Sequence, residues 1–306
     1  MSGGGEAPPR ARVWIADLAL LAVTLVWGVT FPVVKAALAD AGPLSFNAAR
    51  LSLAALLLAA VYRPGWRLPP ATWGAGALLG LFLAGGYALQ TAGLAHISPS
   101  ISAFLTSLSV VLVPLLLAVA WRRRLAPTAW AGAGLALAGL YLLVAAPGAA
   151  APAAVRGAGW GEALTLGCAL AFALHIITLG EWAPKIGFRD LAVLQIGFAA
   201  LFTWLALPLI ETPHWHASPR LGVALAATAV LATAVAFTVQ SWAQQFTPAT
   251  HTAVVFAFEP VFAWLASALG WHERLRAPQL AGAVLIVAAM LVVEWRGAGA
   301  ERPAVT

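Results

Sequence analysis

The sequence predicts an all-α membrane protein with ten transmembrane helices, arranged as two inverted five-helix repeats. Hydrophobic residues make up 62% of the chain and charged residues only 9%, whereas soluble domains carry about 25% charged residues. Long apolar runs alternate with short polar gaps, and the second half of the chain repeats the pattern of the first. A water-soluble fold could not cover this much apolar surface, so we expect an integral membrane protein.

The apolar runs define ten helices, because about 20 residues of helix cross the ~30 Å hydrocarbon core of a bilayer. Backbone groups within lipid need partners inside the chain, and helices provide them locally. The predicted spans cover residues 13–38, 44–62, 71–95, 99–121, 127–146, 160–183, 190–210, 219–245, 249–271 and 277–295.

These spans divide the chain into five parts. A cytoplasmic tail of residues 1–12 precedes the first repeat, which covers residues 13–146. A linker at 147–159 leads to the second repeat at 160–295. A second cytoplasmic tail covers residues 296–306.

Lysine and arginine residues predict that the protein lies in the cell inner membrane with both tails in the cytoplasm. The cytoplasmic segments then carry eleven basic residues and the opposite segments four, in keeping with the excess of positive charge on the cytoplasmic side of membrane proteins. The eleven are Arg10, Arg12, Arg63, Arg67, Arg122, Arg123, Arg124, Lys185, Arg189, Arg296 and Arg302. The four are Arg156, Arg220, Arg274 and Arg276.

The basic character of the chain does not indicate a nucleic-acid partner. The net charge is only +6, and its basic residues are scattered through short gaps, which suits membrane orientation better than a phosphate-binding face. The single cysteine, Cys168, lies in an apolar run, so neither a disulfide framework nor a CxxC metal site is expected. We expect no cofactor and no metal. Membrane lipids are expected partners, and a homodimer stays open.

The two halves match at a constant offset of 150 residues. WRRRLAPTAWAGAGLALAG, from Trp121, corresponds to WHERLRAPQLAGAVLIVAA, from Trp271, and Gln90 recurs as Gln240. Because each half holds an odd number of spans, the second half enters the membrane in the opposite orientation. Inverted repeats are typical of transporters, since a site between opposed halves can open to either side. A duplicated bundle that serves only as a stable scaffold is the alternative.

Short motifs also follow one another in a fixed order. The first span contains WGVTFPVVK, the second opens with FNAAR, and the fourth holds FLTSLSVVLVPLL. The sixth contains CALAFALHI, and the ninth has FEPVFA followed by HERL. From about Trp14 to Glu294, this set resembles the EamA-type, ten-helix members of the drug/metabolite transporter superfamily. The resemblance implies secondary transport, usually export of amino acids or other small metabolites, through a cavity between the halves. The expected partners are then a small-molecule substrate and, through coupling, protons.

Side chains inside the first and sixth spans are candidates for substrate binding or coupling. Trp27 and Lys35 fall on one face of the first span. Trp27 would serve as a substrate platform or as core packing, and Lys35 would face a cavity or snorkel to the outer interface. His175 lies about halfway through the sixth span, where it would bind substrate, relay protons or hold a neighbouring helix.

Amide and hydroxyl groups mark the third and eighth spans. Tyr87 and Gln90 lie in the third span, and Gln240 and Gln244 lie in the eighth. Such groups can replace the hydration shell of a solute, and they can equally join helices. The repeat-related amides Gln90 and Gln240 favour a shared cavity wall.

Arg50, in the second span, has two interpretations. Its guanidinium would clamp a substrate carboxylate through two hydrogen bonds. Alternatively, it would tie its helix to the outer loop. Asn47, one turn earlier on the same face, suits either interpretation.

Glu259 is the most informative candidate, because it lies near the middle of an otherwise apolar span. A charge there costs about 2.5 to 3.5 kcal/mol, so a functional or structural partner is required. Pro260 supplies no amide, and we expect a bent helix with freed carbonyls beside the carboxylate. The structural alternative is a bond to His175 or a glutamine. On the fourth span, Thr106 and Ser109 share a face, and Ser109 is the repeat counterpart of Glu259.

Motifs for competing functions are missing from the sequence. It has no GxxxxGK[ST] loop and no HExxH pair, which argues against an ATP-driven pump and a metalloprotease. The chain is therefore predicted not to be an enzyme. The strongest rival to a transporter is a lipid-directed protein, either a flippase or an intramembrane enzyme with His175 and Glu259 as acid and base.

Overall fold

The computed structural model describes residues 10–63, 67–145, 159–271 and 277–297. Within these ranges the chain is almost entirely helical, and the extended structure is a single bridge between Ala41 and Trp215. The predicted all-α fold class is confirmed. Several predicted segments lie outside the described residues. They are the N-terminal tail up to residue 9, the linker at 146–158, the loop 272–276 that carries HERL, and the C-terminal tail from residue 298.

The described helices form ten spans at the positions that the apolar runs predicted. The helices are α1 (Arg10–Ala37), α2 (Pro43–Tyr62), α3 (Pro70–His96), α4 (Pro99–Ser107), α5 (Ser109–Val119), α6 (Pro127–Ala145), α7 (Trp160–Trp182), α8 (Phe188–Ile210), α9 (Pro219–Ala229), α10 (Ala236–Ala243), α11 (Ala249–Phe256), α12 (Glu259–Trp271) and α13 (Ala277–Gly297). Eight spans in the described residues are long and apolar enough to cross a membrane. The other two, α6 and α13, pack along each other.

Proline and serine explain where many of these helices begin. α2, α3, α4, α6 and α9 each start at a proline, whose fixed φ suits the first turn and whose missing N–H would have no partner there. Ser98 and Ser218 each precede such a proline and accept a hydrogen bond from the backbone of the first turn.

The fourth and ninth spans are interrupted at repeat-related positions. α4 gives way to α5 at Leu108, and α11 gives way to α12 at Ala257 and Phe258. Pro260 supplies no amide to the ladder, so the interruption beside Glu259 agrees with the expected bend. The interruption at Leu108 was not predicted, because no proline follows it directly. It shows that the break belongs to both repeats.

The eighth span contains a third irregularity. Residues Val230–Val235 form a π-helical segment between α9 and α10. The corresponding part of the first repeat lies inside the regular helix α3, so this feature occurs in one half only. π segments shift the hydrogen-bond register and are frequent at functional sites.

Gly28 brings two helices of opposite halves into close contact. A Cβ atom at this position would lie 2.7 Å from the Glu259 carbonyl oxygen and 2.9 Å from Cβ of Phe262. Only glycine allows this approach without a shift of one backbone. The WG pair in the first motif therefore positions α1 against the start of α12.

Loops of the two halves meet at one end of the bundle. Asp40 accepts hydrogen bonds from Ser218 Oγ at 2.6 Å and from Arg220 Nε and Nη2 at 2.9 Å each. Glu211 accepts from Ser45 Oγ at 2.6 Å and from the first amides of α2, where a carboxylate complements the helix dipole. The α1–α2 loop is thereby joined to the loop after α8.

We predict that Asp40→Asn lowers the melting temperature of the purified protein at neutral pH. Hydrogen bonding from Ser218, and then from Arg220, holds the pKa of Asp40 below its ordinary value. The charged carboxylate therefore stabilises the folded state above about pH 3.9, and this contribution is lost as the pH falls through the lowered pKa. Melting curves across a pH series, with Arg220→Gln added singly and in combination, provide the check. Fully additive losses in the double variant would contradict the pairing.

Candidate functional site

A central cavity lies between the two halves, with about 660 Å³ of space when the part open to its surroundings is counted. Val34 of α1 and Leu94 of α3 lie in its wall, so it occupies the part of the bundle toward the α1–α2 loop. Nine of the eleven residues selected from the sequence line it. They are Trp27, Arg50, Tyr87, Gln90, Thr106, Ser109, His175, Gln240 and Glu259.

Lys35 and Gln244 were selected with this group, but the structure places both outside the cavity wall. Lys35 Nζ donates to the carbonyl oxygens of Leu94 and Ala95 at 2.7 and 2.9 Å, which are near the C-terminal end of α3, where a cation is favoured. Gln244 accepts from Gln240 Nε2 at 2.9 Å and donates to a carbonyl of α7 at 2.9 Å.

Aromatic rings form much of the remaining wall, and most of them were not selected from the sequence. Phe237 is central, with ring centroids 5.5 Å from Trp27, 6.1 Å from Tyr87 and 5.7 Å from His175. It is the repeat counterpart of Tyr87 at the 150-residue offset. Extending the offset from the glutamines to their neighbours would have identified Phe237.

The guanidinium of Arg50 is buried and joins three elements. Nε donates to Thr233 Oγ1 at 2.7 Å, and Nη2 donates to Tyr87 Oη at 3.0 Å and to the Ala232 carbonyl at 3.2 Å. Trp27 Nε1 donates to the same carbonyl at 2.9 Å. The expected tie between Arg50 and the outer loop is wrong, because its partners lie on α3 and on the π segment of the eighth span.

Arg50 also keeps donors for a ligand. In the described part of the chain its hydrogen bonds use Nε and Nη2, which leaves the two Nη1 donors available in the cavity wall. A guanidinium fixed in this way has the geometry to donate to a carboxylate or another acceptor.

Glu259 begins α12 directly after the interruption of the ninth span. Its side chain lines the cavity and is only 6% exposed. Among the described residues, its carboxylate has neither a hydrogen bond nor an ion pair, so the suggested bonds to His175 or a glutamine are not formed. A buried carboxyl group without a protein partner calls for a cationic ligand or a proton.

The other polar residues of the wall are joined in small networks. Gln90 Nε2 donates to Thr106 Oγ1 at 3.2 Å. His175 Nε2 lies 2.8 Å from Gln195 Oε1 on α8, a residue that the sequence did not single out. Within the part of the chain that is described, no group of three histidine, cysteine, aspartate or glutamate side chains could hold a metal ion.

Helical spans in two related halves, with a polar and aromatic cavity between them, define an inverted-repeat membrane transporter. The model of the EamA-like transporter family matches residues 14–145 and again residues 159–295. The chain therefore belongs to the EamA-like transporter family, and the resemblance drawn from the motifs is confirmed.

Full-length relatives and a solved structure agree with this assignment. An uncharacterized transporter of Archaeoglobus fulgidus is 32% identical over 294 residues, 96% of this chain and 89% of the relative. The uncharacterized transporter YvbV of Bacillus subtilis is 27% identical over 316 residues, 97% of this chain and 96% of the relative. A crystal structure with 21% identity superposes with a TM-score of 0.72 over 92% of this chain and 98% of the other, which shows a shared fold.

We predict that Arg50→Lys destabilises the protein by about 1–3 kcal/mol, the usual cost of leaving a buried acceptor without its partner. Lysine cannot reproduce the fork that reaches Thr233 and Tyr87 together. The matched control is Arg189→Lys, an exposed arginine that lies 5.8 Å over the ring of Tyr62. Unfolding free energies in the same detergent provide the comparison. Equal effects at the two positions would contradict the proposed role of the Arg50 hydrogen bonds.

Proposed function

We propose that the protein is a secondary transporter that exports amino acids or other small metabolites by alternating access. The observation that carries this proposal is that the wall of one cavity holds both the Arg50 Nη1 donors and the Glu259 carboxyl, which has no hydrogen-bond partner among the described residues. A solute with an acidic group and an amino group would meet both. The aromatic wall around Phe237 would hold its apolar part.

The distribution of packing supports a state that is open toward one side only. The cavity reaches Val34 near the end of α1. Toward the opposite end, Ala16 and Leu20 belong to a buried apolar cluster with Leu117 of α5 and Val255 of α11. With both tails in the cytoplasm, the open side is the extracytoplasmic side and the packed end is the cytoplasmic gate.

The interrupted helices are suited to move during the cycle. Ser109 and Glu259 each follow an interruption directly and each lines the cavity. Because the two interruptions are related by the repeat, an exchange of their conformations between the halves would close one side and open the other. Such an exchange is the basis of alternating access in inverted-repeat transporters.

Glu259 is the proposed coupling residue. A proton on its carboxyl removes the cost of a buried charge, and a cationic solute group offsets the same cost. If proton and solute compete for this carboxyl, the protonated protein and the solute-bound protein would favour different access states. Coupling to the substrate gradient alone is the other route, and a pH gradient distinguishes the two.

The first test is transport of labelled amino acids by purified protein in liposomes. Proteoliposomes loaded with a radiolabelled mixture of the standard amino acids are expected to release label faster than protein-free liposomes, and a pH gradient is expected to change the rate. Lipid scrambling in place of solute release would favour the flippase, and a covalently altered lipid would favour the enzyme.

We predict that Glu259→Gln abolishes transport or makes it insensitive to the pH gradient, while the protein still inserts and folds. The amide keeps the shape and hydrogen-bonding capacity of the carboxyl and cannot take a negative charge. Proteoliposome rates across a pH series, together with melting temperatures, provide the measurement. A folded variant that transports as well as the wild type at every pH would rule out the coupling role.

Topology is open to an independent test. We predict that single cysteines at Gly3 and Ala304, introduced after Cys168→Ser, are labelled only when a membrane-impermeant thiol reagent reaches the cytoplasmic side. The physical reason is the excess of lysine and arginine in the cytoplasmic segments. Labelling of either terminus in intact cells would overturn the proposed orientation and, with it, the direction of the open cavity.

A further inference from the structure

A chain of hydrogen bonds connects the cavity to α8, which contributes no residue to the cavity wall. Gln195 of α8 lies 2.8 Å from His175 through Oε1 and donates from Nε2 to Ser241 Oγ at 2.8 Å. Ser241 in turn donates to the Phe237 carbonyl at 2.7 Å. Gln195 and Ser241 are completely buried, so water does not compete for these bonds.

The chain of hydrogen bonds bears on which nitrogen of His175 carries the proton. The Ser241 hydroxyl is directed at the Phe237 carbonyl, and with its hydrogen there Ser241 Oγ accepts from Gln195 Nε2. The amide oxygen of Gln195 then faces the imidazole. Because an amide oxygen can only accept, this arrangement is complete when Nε2 carries the proton of the neutral ring.

We propose that Gln195 is a positioning residue for His175: it holds the neutral imidazole in its Nε2–H form and presents Nδ1 to the cavity as a hydrogen-bond acceptor. This inference rests on the proposed transport function. Nδ1 has no hydrogen-bond partner in the described part of the chain, and His175 lines the cavity. The site thus selects a solute that offers an N–H or O–H group at this point of the wall.

The first repeat contains the same amide-to-hydroxyl contact without a histidine. Asn47 of α2 donates to Thr91 Oγ1 at 3.0 Å, and Thr91 is the repeat counterpart of Ser241. The repeat counterpart of the histidine is Leu25, and the Asn47 Oδ1 atom is buried without a hydrogen bond among the described residues. Helix packing therefore accounts for the amide-to-hydroxyl bond, which both repeats contain. It does not by itself account for the bond between Gln195 and His175, which is found in the second repeat.

The backbone around Gln195 is held close to α3. A Cβ atom at Gly80 would lie 2.9 Å from the Gln195 carbonyl oxygen and 2.5 Å from Cβ of Phe198. The position of α8 beside the cavity is thus set by direct backbone contact. A side chain attached to so rigid a segment can fix the orientation of its partner, as supporting residues of functional sites do.

The decisive experiment is ¹⁵N NMR of histidine-labelled protein in nanodiscs at alkaline pH, where the imidazole rings are neutral. The His175 signals are identified by their loss in His175→Gln. In the wild type we expect a protonated Nε2 and an unprotonated Nδ1. In Gln195→Leu, which keeps a similar volume and removes the acceptor, we expect a mixture of both neutral forms. Asn47→Leu, the matched loss of an amide in the first repeat, is expected to leave the His175 signals unchanged.

Transport constants provide a second readout with the amino acid that the wild type releases fastest. Gln195→Leu is expected to raise KM in proportion to the loss of the Nε2–H form, about twofold for an equal mixture of the two neutral forms, with little change in maximal rate. An Nδ1–H form in the wild type, or unchanged His175 signals in Gln195→Leu, would refute the positioning role. An unchanged KM in Gln195→Leu would refute it as well.

The proposed transport function and the positioning role of Gln195 can fail independently of each other. A wild-type protein that moves no amino acid refutes the proposed substrate class, and the NMR experiment still decides whether Gln195 orients His175. If Gln195→Leu does not fold, the wild-type spectrum still tests the proposal, because an Nδ1–H form of His175 refutes it.

Discussion

The carbonyl oxygen of Ala232 is the acceptor on which the arrangement of the cavity depends. It receives hydrogen bonds from Trp27 of α1 and Arg50 of α2, and it lies in the π segment of the eighth span. In a regular helix that oxygen would be used by an amide four residues later. Here the amide of Ala236, four residues later, donates to the carbonyls of Leu231 and Thr233 instead, and two side chains of the opposite half donate to the Ala232 oxygen. One local departure from α-helical geometry thus holds three spans around a common space.

The two halves share a scaffold and differ in the details that give the cavity its polarity. Both contain an interruption in the fourth span of the repeat, and both place an aromatic ring and a glutamine on the third. The first half supplies Arg50 and the second supplies Glu259 and His175. Because the charged groups are not duplicated, the cavity has a direction along which a dipolar solute can be ordered. Symmetric backbone motion can therefore act on an asymmetric site.

The fold was largely predictable from the sequence, whereas the site was predictable only in part. Apolar length and the 150-residue offset depend on composition and on spacing, which a single chain displays directly. Lys35 bonds to carbonyl oxygens that lie 59 and 60 residues further along the chain. Gln195 bonds to side chains of two neighbouring helices. No local sequence pattern records such contacts. The π segment could not be predicted from the sequence either, since VLATAV is an ordinary apolar stretch. The side chains that donate hydrogen bonds to it, those of Arg50 and Trp27, lie on other spans.

Gly28 has a consequence for how this protein could acquire a new solute. A Cβ atom at Gly28 would lie 2.7 Å from the Glu259 carbonyl oxygen, so the backbone that carries Glu259 is located by main-chain contact and not by a replaceable side chain. Residues such as Thr106 and Phe172 line the same space through their side chains. Laboratory selection for altered specificity can therefore change the wall while leaving the Glu259 carboxyl in place. If that carboxyl couples transport as proposed, recognition and coupling are separately adjustable parts of one cavity.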